Sequence, residues 1–475
     1  MPGPASDLLL DRFRALLGPA GVLTGADTAG WSRDWTGQYA WTPRAVLRPG
    51  ATEEVAAVLR LAAEAGTPVV PCGGRTGLVG GAEAEGRLVL SLERLNRIRA
   101  LKPGARVVLA EAGVTLTRLH EAAAEHGLVF PLTFGARGSA TVGGVLSTNA
   151  GGSNVLRYGS ARGLCLGIEA VLADGRVLDL MSELRKDNTG YDLRDLFIGA
   201  EGTLGVITAA VFRLFPAPRA YATATVAMTS LSAALDLLNR LQEETGGAVE
   251  AFEFMPARYI DRLAEARPDL GAPFPARHPV TLLVEIGATS PGDAAPGPDG
   301  SVPVTDRLEA ALARMMEEGT VADAVIARSG DQRRRMWARR EAAAEITVGR
   351  GPMVDCDVSV PLDRVGDFLT GMEARLAALD PGATDFVVAH LGDGNIHWSA
   401  YVTRDDPDLE DRIRAEADRL AVALGGSFSA EHGIGLTKLA SMRRHKDPVA
   451  LDLMRRIKTA LDPDGILNPG KTVPE

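Results

Sequence analysis

An α+β fold in two domains is what this sequence predicts, and three features of the chain carry that prediction. Short apolar runs of strand length alternate with amphipathic helical segments over roughly the first third of the chain and again beyond residue 305. The 53 glycines are bunched into a few loops rather than spread, which marks places where backbone approaches something closely. Phe215-Pro216-Ala217-Pro218 sets two prolines where neither a helix nor a central strand tolerates them, so a domain boundary is expected there.

In chain order, Leu8, Leu9, Leu10, Phe13, Leu16 and Leu17 fall at helical spacing and stop at Gly18-Pro19. Ala45-Val46-Leu47-Arg48-Pro49 reads as a short strand. Thr52-Glu53-Glu54-Val55 reads as a capping box opening a helix whose face is Val55, Val58, Leu59 and Ala62 and whose end is Gly66. Strands are expected at Val69–Pro71, Leu88–Ser91, Val107–Ala110 and Leu128–Phe130, with a helix around Leu116–His126. The hairpin turn Asp174-Gly175 joins strands around Ile168–Leu172 and Val177–Leu180. Beyond the double proline, residues 290–304 are turn formers throughout and read as a surface loop or disordered insert. Helices around 305–318, 332–347, 362–378 and 409–424, with strands at 354–360, 386–390 and 396–402, complete the α+β pattern.

Composition removes several function classes. With 51 basic and 61 acidic side chains the net charge is −10, which gives nucleic acid no general electrostatic reason to bind. No apolar run is long enough for a transmembrane segment, and Met1-Pro2-Gly3-Pro4 leads into charged residues without an apolar signal core, so a cytoplasmic protein is expected. Cys72, Cys165 and Cys356 are odd in number and form no CxxC pair, which favours reduced thiols.

Chemistry could sit at four places. Residues 71–82 hold five glycines directly after a strand, and residues 131–160 repeat the enrichment. His390-Leu-Gly-Asp-Gly-Asn-Ile-His397 sets two imidazoles about a tight turn, and Glu431-His432 adds a carboxylate and an imidazole between small residues. Two His and one Glu suit a divalent ion such as zinc with an open position; the other reading is a hairpin whose histidines are satisfied by backbone. Arg339-Arg340-Glu341 offers a guanidinium fork for a substrate carboxylate or simply a solvated helical face. Gly465-Ile-Leu-Asn-Pro-Gly470-Lys471-Thr472 matches the phosphate-loop pattern, but too few residues follow to build the helix that motif requires.

Together these stretches resemble the FAD-linked oxidases and dehydrogenases of the vanillyl-alcohol-oxidase (PCMH-type) fold, most closely the D-2-hydroxyacid dehydrogenases of the D-2-hydroxyglutarate, D-lactate and glycolate oxidase flavin-subunit type. The resemblance runs from about residue 40 to 472 and rests on Pro71–Ala82, Pro131–Gly159, Arg185–Leu193, Phe197–Ile207, His390–His397, Glu431–Gly435 and Asn468–Lys471. It implies a PCMH-type FAD-binding domain of two α/β subdomains over 1–218, an α+β substrate domain over 219–424, and a C-terminal segment, 425–475, that returns to the flavin. It also implies FAD contacts at Gly73, Gly74, Arg75, Thr76, Gly77, Leu78, Pro131, Gly135, Gly138, Ser139, Gly143, Gly144, Asn149, Gly151, Gly152, Tyr158, Gly159, Glu201, Gly202, Gly205, Ile207 and Asn468. Glycine-rich backbone can form an anion nest for the pyrophosphate, and loop 71–82 holds no histidine for covalent attachment, so non-covalent FAD is expected.

By the same resemblance His390, His397 and Glu431 bind a divalent metal, zinc in the first instance with manganese as the alternative. His432 is the base and Arg340 orients the substrate. The implied reaction is oxidation of a D-2-hydroxy acid to the 2-oxo acid by hydride transfer to flavin N5, with electrons leaving to an electron-transfer flavoprotein or quinone. An oxidase of the same fold, or the flavin subunit of a multi-chain complex, is the alternative, and a homodimer is the default assembly. Three positions depart from the D-2-hydroxyglutarate pattern: Ala344 replaces threonine, Asp355 replaces lysine and Ser399 replaces asparagine. The second reverses a charge and leaves the substrate open among the D-2-hydroxyglutarate, D-lactate and D-malate types.

Overall fold

The computed structural model describes residues 4–347 and 351–474. Met1 to Gly3, part of the stretch inspected for a leader, and Glu475 lie outside the described residues. The chain forms two compact units, one of residues 1–151, 159–216 and 431–475, the other of 152–158 and 217–430. The breaks after Pro216 and Ala430 compare with expected ones at 218 and 424.

The first unit holds two main sheets and the antiparallel two-stranded pair of Leu128–Val129 with Phe215–Pro216. In the smaller main sheet, Ala45–Leu47, Leu88–Ser91 and Val69–Cys72 pair in parallel, with Val22–Leu23 added antiparallel at the edge. Leu9, Phe13 and Leu17 of the helix Pro4–Leu17 and Val55, Val58, Leu59 and Ala62 of the helix Thr52–Glu64 join its core, as their spacing requires. Leu8, expected on the same face, is exposed. The expected capping box does not form. Ala51 is the N-cap, and the Thr52 hydroxyl donates instead to Glu169 Oε1 at 2.6 Å, because a half-buried carboxylate on the strand Cys165–Val171 is the stronger acceptor.

The second sheet of this unit is antiparallel throughout, in the order Ile98–Lys102, Val107–Glu111, Val206–Arg213, Cys165–Val171, Val177–Leu180. The expected hairpin at Asp174-Gly175 pairs its last two strands. A helix, Val142–Ser147, stands where only glycine-rich loop was expected. Gly143 and Gly144 hide it from a propensity reading, since glycine is a poor helix former.

The second unit is built on a seven-stranded antiparallel sheet, in the order Val321–Ile326, Ala220–Met228, Val280–Ala288, Val249–Pro256, Thr384–His390, Asn395–Tyr401, Met353–Ser359. Alternation along the strands gives it two unlike faces. Ala224, Val226, Leu282, Val284, Phe252, Phe254, Ile396, Trp398, Val354 and Val358 belong to one large core that also takes in the buried sides of Leu231–Thr245, Pro303–Glu317, Val365–Leu379 and Pro407–Ala423. The opposite face carries Met255, Leu283, Phe386 and Val388 in a smaller core with Tyr259, Leu263 and Met336, and Thr223, Thr225, Glu253, Glu285 and His390 are among its polar positions. Residues 290–304 are not loop throughout: Pro291–Ala294 is a short helix, and Pro303 opens the helix that follows, where its missing N–H costs nothing.

Candidate functional site

In the first unit the sequence-singled glycine loops meet. A Cβ on Gly74 would stand 2.0 Å from the Ser139 carbonyl oxygen, and one on Gly73 would stand 2.5 Å from Thr141 Oγ1. Loop 71–82 and segment 138–144 therefore touch backbone to backbone, an approach that only glycine permits. Gly205 has a packing reason instead, since a Cβ there would lie 2.5 Å from the Phe197 ring. Gly77, Gly135 and Gly138 face open space.

Strained backbone gathers at the same residues. Among the described residues, six non-glycine positions have a left-handed φ, and four of them, Arg75, Asn149, Glu201 and Asn468, are expected cofactor contacts. Such conformations cost ~1–3 kcal/mol each and persist where surrounding structure over-determines them. The side chains show what does so. Asn149 Oδ1 accepts from Ser160 Oγ and the Arg162 N–H, and the Arg75 guanidinium stacks over Trp31 at 4.9 Å. Asn468 Nδ2 donates to the carbonyls of Gly81 and Glu201, while its Oδ1 accepts from Lys471 Nζ at 2.8 Å. Asn468 thus ties three segments together with its side chain.

Glu201 does a similar task. Its carboxylate oxygens accept the N–H groups of Ile434 and Gly435, each at 2.8 Å, and pin the chain two residues beyond His432. Burial outweighs those hydrogen bonds and raises its pKa. Lys471, the lysine of the phosphate-loop lookalike, is buried, donates also to the Glu83 carbonyl and is pushed down to about 8 by burial. An amine spent in this way is not held out for phosphate. Burial pushes the Cys72 and Cys165 thiols up to about 12, so neither is a poised nucleophile.

In the second unit the two hairpin histidines share the polar face. Val388 pairs with His397 and His390 with Asn395, so the imidazoles are diagonal neighbours with ring centroids 5.3 Å apart. Behind each stands a carboxylate. His390 Nδ1 donates to Glu253 Oε1 at 2.9 Å, and His397 Nδ1 lies 3.6 Å from Asp357 Oδ1, which Asn395 Nδ2 also reaches at 2.8 Å. An imidazole whose Nδ1 is held by a carboxylate presents Nε2 as a lone-pair donor of fixed direction, the usual arrangement behind metal-ligating histidine. Residues 390 and 397 therefore fit a divalent ion by donor chemistry.

Arg340, on the helix Gly330–Glu341, is buried and donates through Nε to Glu253 Oε2 at 2.7 Å. Burial alone would raise the Glu253 carboxyl, but the charges of His390 and Arg340 and their hydrogen bonds prevail and hold it at about 2. Of the pair Arg339-Arg340 only the second faces this site, for Arg339 donates to the carbonyls of Leu270 and Gly271. Glu253 was not singled out in the sequence; its signal was a carboxylate inside the apolar strand Val249–Pro256, which burial permits only with a partner. Two expected cofactor residues, Gly152 and Tyr158, belong to this second unit, where the Tyr158 hydroxyl donates to Glu250 at 2.6 Å beside Arg157 at 2.7 Å. Of the three departing positions, Ala344 is exposed on the short helix Ala343–Thr347, whereas Ser399 Oγ donates to Asp355 Oδ1 at 2.8 Å. Glu431 and His432 are half-buried in the first unit, and Glu431 directly follows Ala430, whose N–H donates to the Asp357 carbonyl within the second.

Comparison with known proteins adds to this geometry. Residues 217–472 match the family model of the C-terminal domain of FAD linked oxidases, and residues 43–181 match an FAD binding domain. The chain is 37% identical over 444 residues to the mitochondrial D-2-hydroxyglutarate dehydrogenase of Bos taurus, covering 93% of this chain and 79% of that one. It is 37% identical over 454 residues to the D-2-hydroxyglutarate dehydrogenase of Xanthomonas citri pv. viticola, with 94% and 92% covered. The enzyme of that name from Stutzerimonas stutzeri is 33% identical, with 98% of each chain covered. Among solved structures, p-cresol methylhydroxylase with substrate bound has a TM-score of 0.75 at 17% identity, covering 100% of this chain and 98% of that one. The 4-ethylphenol oxidase of Gulosibacter chungangensis has a TM-score of 0.73 at 19% identity, with the same coverage. At such identities these two show a shared fold. Among the described residues no helix is long and apolar enough to cross a membrane.

Proposed function

The chain belongs to the FAD-linked oxidase family, and on that premise we propose that it oxidises a D-2-hydroxy acid to the 2-oxo acid, with non-covalent FAD and a divalent metal as its cofactors. The observation that carries the reading is the buried Glu253 carboxylate shared by His390 and Arg340. It directs one imidazole toward a metal and sets a guanidinium beside it, the two groups that a 2-hydroxy carboxylate needs.

FAD, when bound, supplies the hydride acceptor at flavin N5. A divalent ion, zinc in the first instance, would supply Lewis-acid polarisation of the substrate hydroxyl, held by His390 and His397 with Glu431 as third ligand. Arg340, its Nε anchored on Glu253, turns its terminal nitrogens to the substrate carboxylate. His432 removes the hydroxyl proton as C2 gives up hydride, and Glu201 steadies the following backbone so that the imidazole keeps its place. The absence of histidine from loop 71–82 and the high pKa of Cys72 support non-covalent attachment there. The dehydrogenase names of the relatives favour an electron-transfer flavoprotein or a quinone over oxygen as the oxidant.

The test is an absorbance spectrum of the purified protein, followed by anaerobic addition of D- and L-2-hydroxy acids. Bleaching of a flavin band by a D-acid and not by its L-enantiomer is expected. A protein that takes up no FAD, or whose flavin no 2-hydroxy acid reduces, overturns the reading.

A further inference from the structure

We infer that Asp355 and Ser399 select the substrate's far end, favouring a D-2-hydroxy acid that ends in a hydrogen-bond donor, hydroxyl or ammonium, over one that ends in a second carboxylate. The inference rests on the reading above and names the substrate class of that same site.

Strand alternation places Asp355 and Asp357 on one face of the edge strand Met353–Ser359, opposite the buried Val354, Cys356 and Val358. Cross-strand register pairs Asp357 with His397 and Asp355 with Ser399. The Asp355–Ser399 pair therefore stands two residues, ~7 Å, along the sheet from the His397 rung on the same polar face. A substrate anchored at His390, His397 and Arg340 and extended along the strands would bring its far end to that pair.

Charge accounting sets Asp355 apart from three other acids on this side of the sheet, each answered from within the protein. Glu253 has His390 and Arg340, Glu285 has Arg333 at 2.6 Å and the Trp337 indole at 2.9 Å, and Asp357 has Asn395 and His397. Asp355 is exposed, and among the described residues no Arg, Lys or His pairs with it. Ser399, buried, donates its hydroxyl to one carboxylate oxygen and so fixes the group as an acceptor. A rigid carboxylate with no cationic partner among the described residues attracts a donor and repels a like charge.

The holoenzyme tests this with three D-2-hydroxy acids of equal chain length, ending in carboxylate (D-2-hydroxyglutarate), in hydroxyl and in ammonium. Flavin reduction is followed anaerobically for the wild type, for the near-isosteric Asp355→Asn and for Asp355→Lys. The wild type is expected to prefer the ammonium- or hydroxyl-terminated acid by about tenfold or more in kcat/KM. Asp355→Asn should erase the ammonium preference, and Asp355→Lys should turn the order toward D-2-hydroxyglutarate. Flavin reduction led by D-2-hydroxyglutarate in the wild type overturns the inference and leaves the proposed reaction standing. The same substrate order in all three proteins also overturns it and leaves Asp355 as a charge that guards a sheet edge. Failure of every acid to reduce the flavin overturns both.

Discussion

His390 and Glu253 lie 137 residues apart in the chain, yet the imidazole Nδ1 sits 2.9 Å from the carboxylate Oε1 in a buried cross-strand pair. The contact fixes the tautomer of an ordinary hairpin histidine. It also makes Glu253 a group that both the His390 imidazole and Arg340 share.

Removal of that group should be costly. Glu253→Ala leaves a buried arginine without its partner, a loss of ~3–5 kcal/mol by analogy with broken buried pairs, read by urea denaturation. Glu253→Gln keeps the shape and should lower metal affinity ~10–100-fold, as removal of carboxylate support does elsewhere. Unchanged metal binding in the glutamine variant would disprove the supporting role.

Substitutions at the histidines separate metal from base. His390→Ala should deplete bound metal, measured by elemental analysis, while the yellow colour of FAD persists. His432→Ala should keep both flavin and metal and lose turnover by ~10²–10⁴-fold, the usual contribution of a positioned base.

Gly74→Ala tests the cradle. Its new methyl would meet the Ser139 carbonyl at 2.0 Å, and the strain, ~1–3 kcal/mol for an overpacked site, must be relieved by parting the two loops. FAD occupancy, measured from the visible band against protein absorbance, should fall, whereas Gly104→Ala, outside the cradle and meeting open space, should retain it.

Glu201 holds two backbone N–H groups near His432. In Glu201→Ala each loses its acceptor at ~1–3 kcal/mol, so hydrogen exchange at Ile434 and Gly435 should quicken. Turnover should fall more than substrate affinity, because the base and not the sheet face is loosened.

Lys471 gives a pH signature. Its folded pKa, about 8, lies below the ordinary 10.5 because burial disfavours the ammonium form. The fold therefore carries a penalty for the charged amine that is full below pH 8 and lifts as pH rises toward 10.5. The melting temperature of the wild type, compared with Lys471→Met, should gain across that window, and parallel curves would contradict the assignment.

Much of this molecule was legible in one dimension. The helix faces Val55-Val58-Leu59-Ala62 and Leu9-Phe13-Leu17 follow from a 3.6-residue period, and the hairpin at Asp174-Gly175 follows from turn chemistry, because these are set by neighbours in the chain. Where distant groups compete, local rules failed. Thr52 left its capping role for Glu169, a partner 117 residues away, and Val142–Ser147 formed a helix despite its glycines because Gly143 packs against Ala112.

The histidines, the glycine loops and the double proline were therefore determined by the sequence itself, as residue types at fixed spacing. What only the tertiary structure decided is who answers whom: Glu253 behind His390, Glu201 on the backbone past His432, Ser399 on Asp355. Charges and hydrogen bonds act through space over a few ångströms, and residues 44 to 233 positions apart become neighbours only when the sheets close.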